Sequence, residues 1–281
     1  MSTTEIDERR RQILGHGAYL LLSRPAAADP AALRAAPIRA LSERLGFRNE
    51  FAPAGEPPRE SVAFLRRRGA IRGTIDDPAL LGAEAIVHAA SPAPGPVDEF
   101  CAEAVRLLAP HLSTRVLRGV IREKSYTGAA MHDFAYARAV VQRPGAAMPN
   151  AFLLPLSKSR EWWSRSWMER STYFLPRFGD DGRMTSLGHA LAAEPGIPSL
   201  LRRTYAGAAH PAPPGEYDFV NYFECADDDV ATFHAVCARL RDVRLNPEWK
   251  FVVEGPTWSG RRVAGWSDLF ADLGTLGPGP P

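Results

Sequence analysis

The order of the apolar runs between Ala151 and Glu254 constrains this chain more than any other feature. AFLLPL (Ala151 to Leu156) reads as a buried strand, and SREWWSRSWMER (Ser159 to Arg170) as a helix opened by a serine that can accept from first-turn amides. LLRRTYA (Leu200 to Ala206) and EYDFVNYFE (Glu216 to Glu224) follow as two strands around a Pro/Gly-rich turn. Asp228 and Asp229 then fall in the first turn of a helix, where carboxylates suit the macrodipole, and Val230, Phe233, Cys237 and Leu240 form its apolar stripe. WKFVVE (Trp249 to Glu254) reads as the closing strand. The order β-α-β-β-α-β is the ferredoxin-like unit.

The first half carries a fainter version of the same order. GAYLLLS (Gly17 to Ser23), AEAIVHA (Ala83 to Ala89) and RVLRGVI (Arg115 to Ile121) read as strands, with helices over Pro30 to Leu45 and around Asp98 to Leu108. The stretch from Phe47 to Pro78 has no readable period. The expectation is therefore an α+β chain of two ferredoxin-like units, residues 1–150 and 151–281, whose sheets join into an α/β barrel of the dimeric ferredoxin-like kind.

With 45% apolar and 23% charged residues, the 281-residue chain has the composition of an ordinary soluble globular protein. A net charge of +2 with interspersed signs offers no footprint for a polyanion, so nucleic acid is not an expected partner. No run of eighteen apolar residues occurs and the first residues are polar and charged, which predicts a cytoplasmic protein with no membrane partner. Cys101, Cys225 and Cys237 are odd in number and none stands in a CxxC pair, so they read as small buried hydrophobes.

Four segments in order then narrow the reading: LPLSKS with EWW (Leu154 to Trp163), MER (Met168 to Arg170), LRRTYAG (Leu201 to Gly207) and YDFVNYFECADDDVATFHAV (Tyr217 to Val236). Together they resemble the chlorite dismutase-like superfamily of haem proteins. They correspond to its Pro-Met-x-Lys segment and paired tryptophans, its Glu-Glu-Arg, its basic strand ending in tyrosine, and its Asp-Phe-x-x-Tyr-Phe-Glu strand with the following helix. The likeness spans Leu154 to Arg262, somewhat over a third of the chain. About a dozen residues between Arg170 and His189 are additional to the pattern.

This resemblance implies haem b, with its iron, as the cofactor. In the family the axial histidine lies thirteen positions before a distal residue, often arginine, that itself precedes the strand's tyrosine by three. Here Arg202 precedes Tyr205 by three, and thirteen positions before Arg202 stands His189. The resemblance thus implies His189 as the iron ligand and Arg202 as the distal residue, where fixed charge and several N–H donors would stabilise an anion. Strand alternation sends Arg202 and Arg203 to opposite faces, and the register selects Arg202. Trp162 and Trp163 point roughly 100° apart on a helix, and the resemblance makes them walls of the haem cavity. Lys158 reads as a surface lysine, a propionate partner or a partner of His189.

An axial imidazole needs an acceptor on its second nitrogen, which the family supplies as a glutamate. Carrying positions forward from Phe233 puts Leu245 there, so the carboxylate is expected to be missing, with Glu224 and Asp242 as substitutes. Trp249, Trp258 and Trp266 read as closing-strand and subunit-contact residues, and the histidines at 16, 88, 111, 132, 210 and 234 as structural or surface groups.

The resemblance further implies an oxidoreductase acting on chlorite, peroxide or another small oxidant, assembled as a homo-oligomer, a ring of about five subunits in the longer members. A coproheme decarboxylase uses a tyrosine just before the Pro of the first segment, where this chain has Leu154. A haem carrier or sensor, kept open by the missing carboxylate, and a haem oxidase of specialised metabolism complete the alternatives.

Overall fold

The computed structural model describes residues 2–7, 14–25, 38–49, 60–122, 137–138 and 148–270. Eight strands form a closed antiparallel barrel: β1 (Gly15–Ser23), β2 (Ser61–Ile71), β3 (Ala85–Ser91), β4 (Ser113–Ile121), β5 (Asn150–Lys158), β6 (Leu201–Ala206), β7 (Phe219–Cys225) and β8 (Thr257–Val263). Around the barrel the order is β4-β1-β3-β2 followed by β8-β5-β7-β6, with β6 meeting β4 at the pair Ala206 and Val120. Each run of four has the strand order of a ferredoxin-like sheet, so the expected α+β architecture is the one observed.

The unbroken apolar run of β1 follows from burial on both faces. Ala18, Leu20 and Leu22 pack under the helix α1 (Pro94–Leu108), through Val97, Phe100, Cys101, Ala104 and Leu108. Tyr19 and Leu21 point into the barrel, with Ala63, Leu65, Ile86, Leu153, Val220 and Trp258. In the second half Phe152 and Leu154 lie under the stripe Phe233, Val236, Cys237 and Leu240 of the twelve-residue helix Val230–Arg241. All three cysteines are buried and free, as their spacing predicts.

Several expectations need correction. Ser159 to Arg170 is two helices, α2 (Arg160–Ser164) and α3 (Trp167–Thr172), because Arg165 and Ser166 are extended. Each has its own serine cap, Ser159 accepting from Trp162 N and Ser166 closing a capping box with Glu169. His189 opens a further short helix, α4 (Gly188–Ala193), and the Val230–Arg241 helix is α5. Asp228 and Asp229 sit in a 3₁₀ turn that leads into α5.

The segment Trp249 to Glu254 is not the closing strand. Pro247–Phe251 is a 3₁₀ turn, the residues Val252–Glu254 pair with one end of β5, and β8 closes the barrel. Trp258 and Trp266 are buried within the chain, at 0% and 3% exposure, rather than set for a subunit contact. The indole of Trp258 donates to the Ala83 carbonyl at 2.9 Å. Of the helix expected over Pro30 to Leu45, the described part is Ile38–Arg44, and His132 lies outside the described residues.

Candidate functional site

Alternation on β6 turns Leu201 and Tyr205 into the barrel and presents Arg202, Thr204 and Ala206 to its outer side. On β7 the outward residues are Phe219, Asn221 and Phe223. These residues form the sheet wall of two adjoining cavities of about 160 and 250 Å³, which share Arg202, Thr204, Asn221, His189, Leu156 and Trp249. The smaller is lined by apolar side chains of α5 and of the turn after α4, the larger by Trp162, Trp163, Lys158, Arg170 and His210.

His189 reaches this space from the helical side. Gly188 before it has φ +67°, and a Cβ there would fall 2.3 Å from the Leu175 carbonyl oxygen, so glycine is required. The amides of His189 and Ala190 donate to the carbonyls of Tyr173 and Phe174, and those of Leu187 and Gly188 to the Leu245 carbonyl. The short helix thus finds its N-terminal acceptors in the additional segment and in the loop after α5. Those residues hold the histidine in place.

The carboxylate expected to be missing is present, and it is Glu248. Its Oε2 lies 2.7 Å from His189 Nδ1 and its Oε1 2.5 Å from Lys158 Nζ, all three side chains being 15% exposed or less. Burial pushes the Glu248 carboxyl up, but His189 and Lys158 outweigh it and hold the group well below the usual carboxylate range. Burial also lowers the Lys158 ammonium from its ordinary value, against the pull of Glu248. Lys158 is therefore a partner of the carboxylate that holds His189, and it also lies 4.6 Å over the Trp162 ring. Neither proposed substitute serves: Glu224 is bonded to Tyr222 and Arg262 inside the barrel, and Asp242 to Arg244.

Arg202 is oriented along the sheet. Its Nε donates to Thr204 Oγ1 at 3.1 Å, and that hydroxyl donates to Asn221 Oδ1 at 2.8 Å. Thr204 and Asn221 are a cross-strand pair, so register places them together. The two tryptophans diverge as helix geometry requires. Trp162 packs on Tyr173 and Phe251, while Trp163 stacks on His210 at 4.8 Å and donates its indole N–H to Asp218 at 2.9 Å. Asp218 is fully buried; burial raises its carboxyl, but bonds from His210, Trp163 and the amides of Lys158 and Ala212 leave it below its usual range.

Glu248, Thr204, Asn221 and Asp218 were not among the expected site residues. Among the described residues no three His, Cys, Asp or Glu side chains converge on a metal site. Two imidazoles line the larger cavity: His210 is stacked on Trp163 beside Asp218, and His189 is held by Glu248. With Nδ1 engaged by Glu248, His189 would ligate through Nε2, and the remaining donors of an iron would have to come from a macrocycle. A cavity walled by sheet and aromatic rings, with the Glu248-held His189 on its helical side, fits a haem.

No family model matches the chain, and no curated protein matches it. Solved structures do. Chlorite dismutase from Candidatus Nitrospira defluvii in complex with imidazole superposes with a TM-score of 0.65 at 17% identity, covering 94% of this chain and 98% of that one. A variant of that enzyme in complex with cyanide gives 0.66 at 16% identity, covering 94% and 97%. A third chain, assigned to the chlorite dismutases only provisionally, gives 0.60 at 14% identity, covering 92% and 98%. The chain has the fold of the chlorite dismutase-like superfamily.

Proposed function

We propose that this chain is a haem b oxidoreductase that acts on chlorite, peroxide or another small oxidant, with His189 ligating the iron and Arg202 facing it from the sheet. The observation that carries this reading is the buried relay Lys158–Glu248–His189 set against the cavity that Arg202 lines. We read residues 151–281 as the haem-holding unit and 1–150 as its partner half, and the assembly as a homo-oligomer.

Haem, when bound, supplies an iron that can exchange electrons with an oxidant. The chain's own groups do the rest. Glu248 accepts from His189 Nδ1–H, which fixes the tautomer and raises the electron donation of Nε2. Lys158 neutralises the carboxylate, so that relay carries no uncompensated buried charge. Arg202, held through Nε by Thr204, offers its terminal N–H groups to an anion and stabilises negative charge developing on it. Arginine keeps its proton at working pH and so stabilises charge without acting as a base. Trp162 and Trp163 wall the cavity and limit water.

The carrier reading loses its motive, since the carboxylate is present. Leu154 lines the cavity with a hydrocarbon, so the decarboxylase reading lacks its tyrosine at that position. Absorption spectroscopy of the haem-reconstituted chain tests the proposal: one haem per chain and a histidine-ligated spectrum are expected, both lost in His189→Ala. Arg202→Ala should keep haem affinity while turnover of chlorite or peroxide falls about one to three decades, since one aimed donor contributes roughly 2.7–4 kcal/mol. Arg202→Lys should rescue in part and Arg203→Ala should be neutral. Unchanged binding and spectrum in His189→Ala would overturn the assignment.

A further inference from the structure

On the inner face of the strands that wall the cavity lies a cluster of oxidisable rings. Tyr19, Tyr205 and Tyr222 and the imidazole of His88 are each 1% exposed or less and touch one another inside the barrel. Tyr19 stacks on His88 at 4.4 Å and lies 5.6 Å from both Tyr205 and Tyr222, while His88 lies 4.9 Å from Tyr222. Phenylalanine or leucine would fill the same volume without burying hydroxyls, which is costly unless they are bonded. Among the described residues the Tyr19 hydroxyl finds no hydrogen-bond partner.

The other two hydroxyls each have a built-in proton acceptor. Tyr205 Oη lies 3.0 Å from His88 Nε2 and donates to it when the imidazole proton is on Nδ1. Tyr222 Oη donates to Glu224 Oε1, and Glu224 Oε2 is held at 2.6 Å by Arg262. Room for Tyr205 is cut from the backbone: Gly17 and Gly119 face each other across β1 and β4, and a Cβ would come within 2.2 Å and 2.7 Å of Tyr205 respectively. Tyr205 follows Thr204 and Tyr222 follows Asn221, and those two neighbours face the cavity. One sheet thickness separates the rings from it.

We propose that this cluster is a redox relay in which Tyr205 and Tyr222 return single electrons to an oxidised group in the His189 cavity and store an oxidising equivalent inside the barrel. It rests on the haem reading above. Hydrogen peroxide, with two protons from solvent, takes two electrons from the bound group and leaves as two waters. One electron comes back from Tyr205 as its O–H bond breaks; the proton passes to His88 Nε2, a neutral tyrosyl radical remains, and the bound group keeps one of the two oxidising equivalents. Tyr222 does the same with Glu224 as acceptor. Tyr19, in ring contact with both, bridges them. Burial, with the neighbouring Tyr205 and Tyr222, pushes its phenol well above the ordinary value, so no phenolate forms there first.

The test is rapid freeze-quench electron paramagnetic resonance on the haem-loaded chain mixed with one equivalent of hydrogen peroxide, with and without ring-deuterated tyrosine. A radical signal narrowed by the label is expected, weakened in Tyr205→Phe and in Tyr222→Phe and lost in the double variant. It should persist in Tyr217→Phe, a tyrosine bonded to Asp77 outside the ring cluster. Haem affinity of the single variants should match wild type, since phenylalanine keeps the packing, while their thermal midpoints should fall, because His88 Nε2 or Glu224 Oε1 loses its buried donor. A signal that survives the double variant, or haem consumed with no labelled signal, overturns the relay while the haem reading stands. If absorption of the same sample shows no bound haem, both fail together.

Discussion

Glu248 decides the character of the histidine, and its ionic bond to Lys158 is buried from water. Removing one member of a buried pair leaves the other charge uncompensated, so Glu248→Gln should cost about 3 kcal/mol in denaturant unfolding near neutral pH. Adding Lys158→Met should recover part of that loss, because the stranded ammonium is then gone. Since the folded-state carboxyl lies below its ordinary range, its contribution is full above about pH 4.3 and is lost as pH falls below that. The gap between wild type and Glu248→Gln should therefore close on acidification; a gap independent of pH would mean the carboxylate is not what stabilises. Lys158, His189 and Arg202 were legible through a motif. Glu248 was not, because carrying positions forward from Phe233 assumes a connection of fixed length. Glu248 stands three residues past that count, in the 3₁₀ turn Pro247–Phe251, and Leu245 contributes its carbonyl to the same histidine helix.

Elements were legible where burial is two-sided or strictly periodic, as in β1, β5 and α5. β2 was not, because its apolar half SVAFL runs into Arg66, Arg67 and Arg68, where the strand passes from the core towards solvent. The single helix expected over Ser159 to Arg170 failed for a different reason: a second serine, with Glu169 three residues on, starts a new cap inside the apolar pattern. Glycine positions test the packing of these elements directly. Gly17→Ala should cost about 1–3 kcal/mol, since its methyl group would overlap the Tyr205 ring against a paired strand. Gly95→Ala, at the start of helix α1 with open space around it, should stay within about 0.5 kcal/mol of wild type, since it meets no neighbouring side chain and only the ring of Pro96 opposes its Cβ. Equal effects of the two in thermal unfolding would show that the Tyr205 ring yields.

At the scale of the molecule, closure of the barrel changes how an assembly would form. Tryptophans of the last segment were expected at a subunit contact, yet Trp258 and Trp266 are internal, and the eight barrel strands are paired on both sides, which leaves no barrel edge to cover. Contact between copies must then use side-chain faces. Trp167, Met168, Leu175, Phe178 and Met184 are 47–61% exposed and all belong to α3 and the stretch that precedes His189. That concentration of apolar surface is what an interface needs, and it sits on the segment that supplies acceptors to the histidine helix. Light scattering of the purified chain should accordingly report a closed homo-oligomer, and Phe178→Glu with Met184→Glu should shift it to smaller species by placing like charges in the contact. Because the same segment holds His189, the double variant should also weaken haem retention. A monomer across micromolar concentrations in wild type would sink the prediction, and an oligomer indifferent to both glutamates would move the interface to another face.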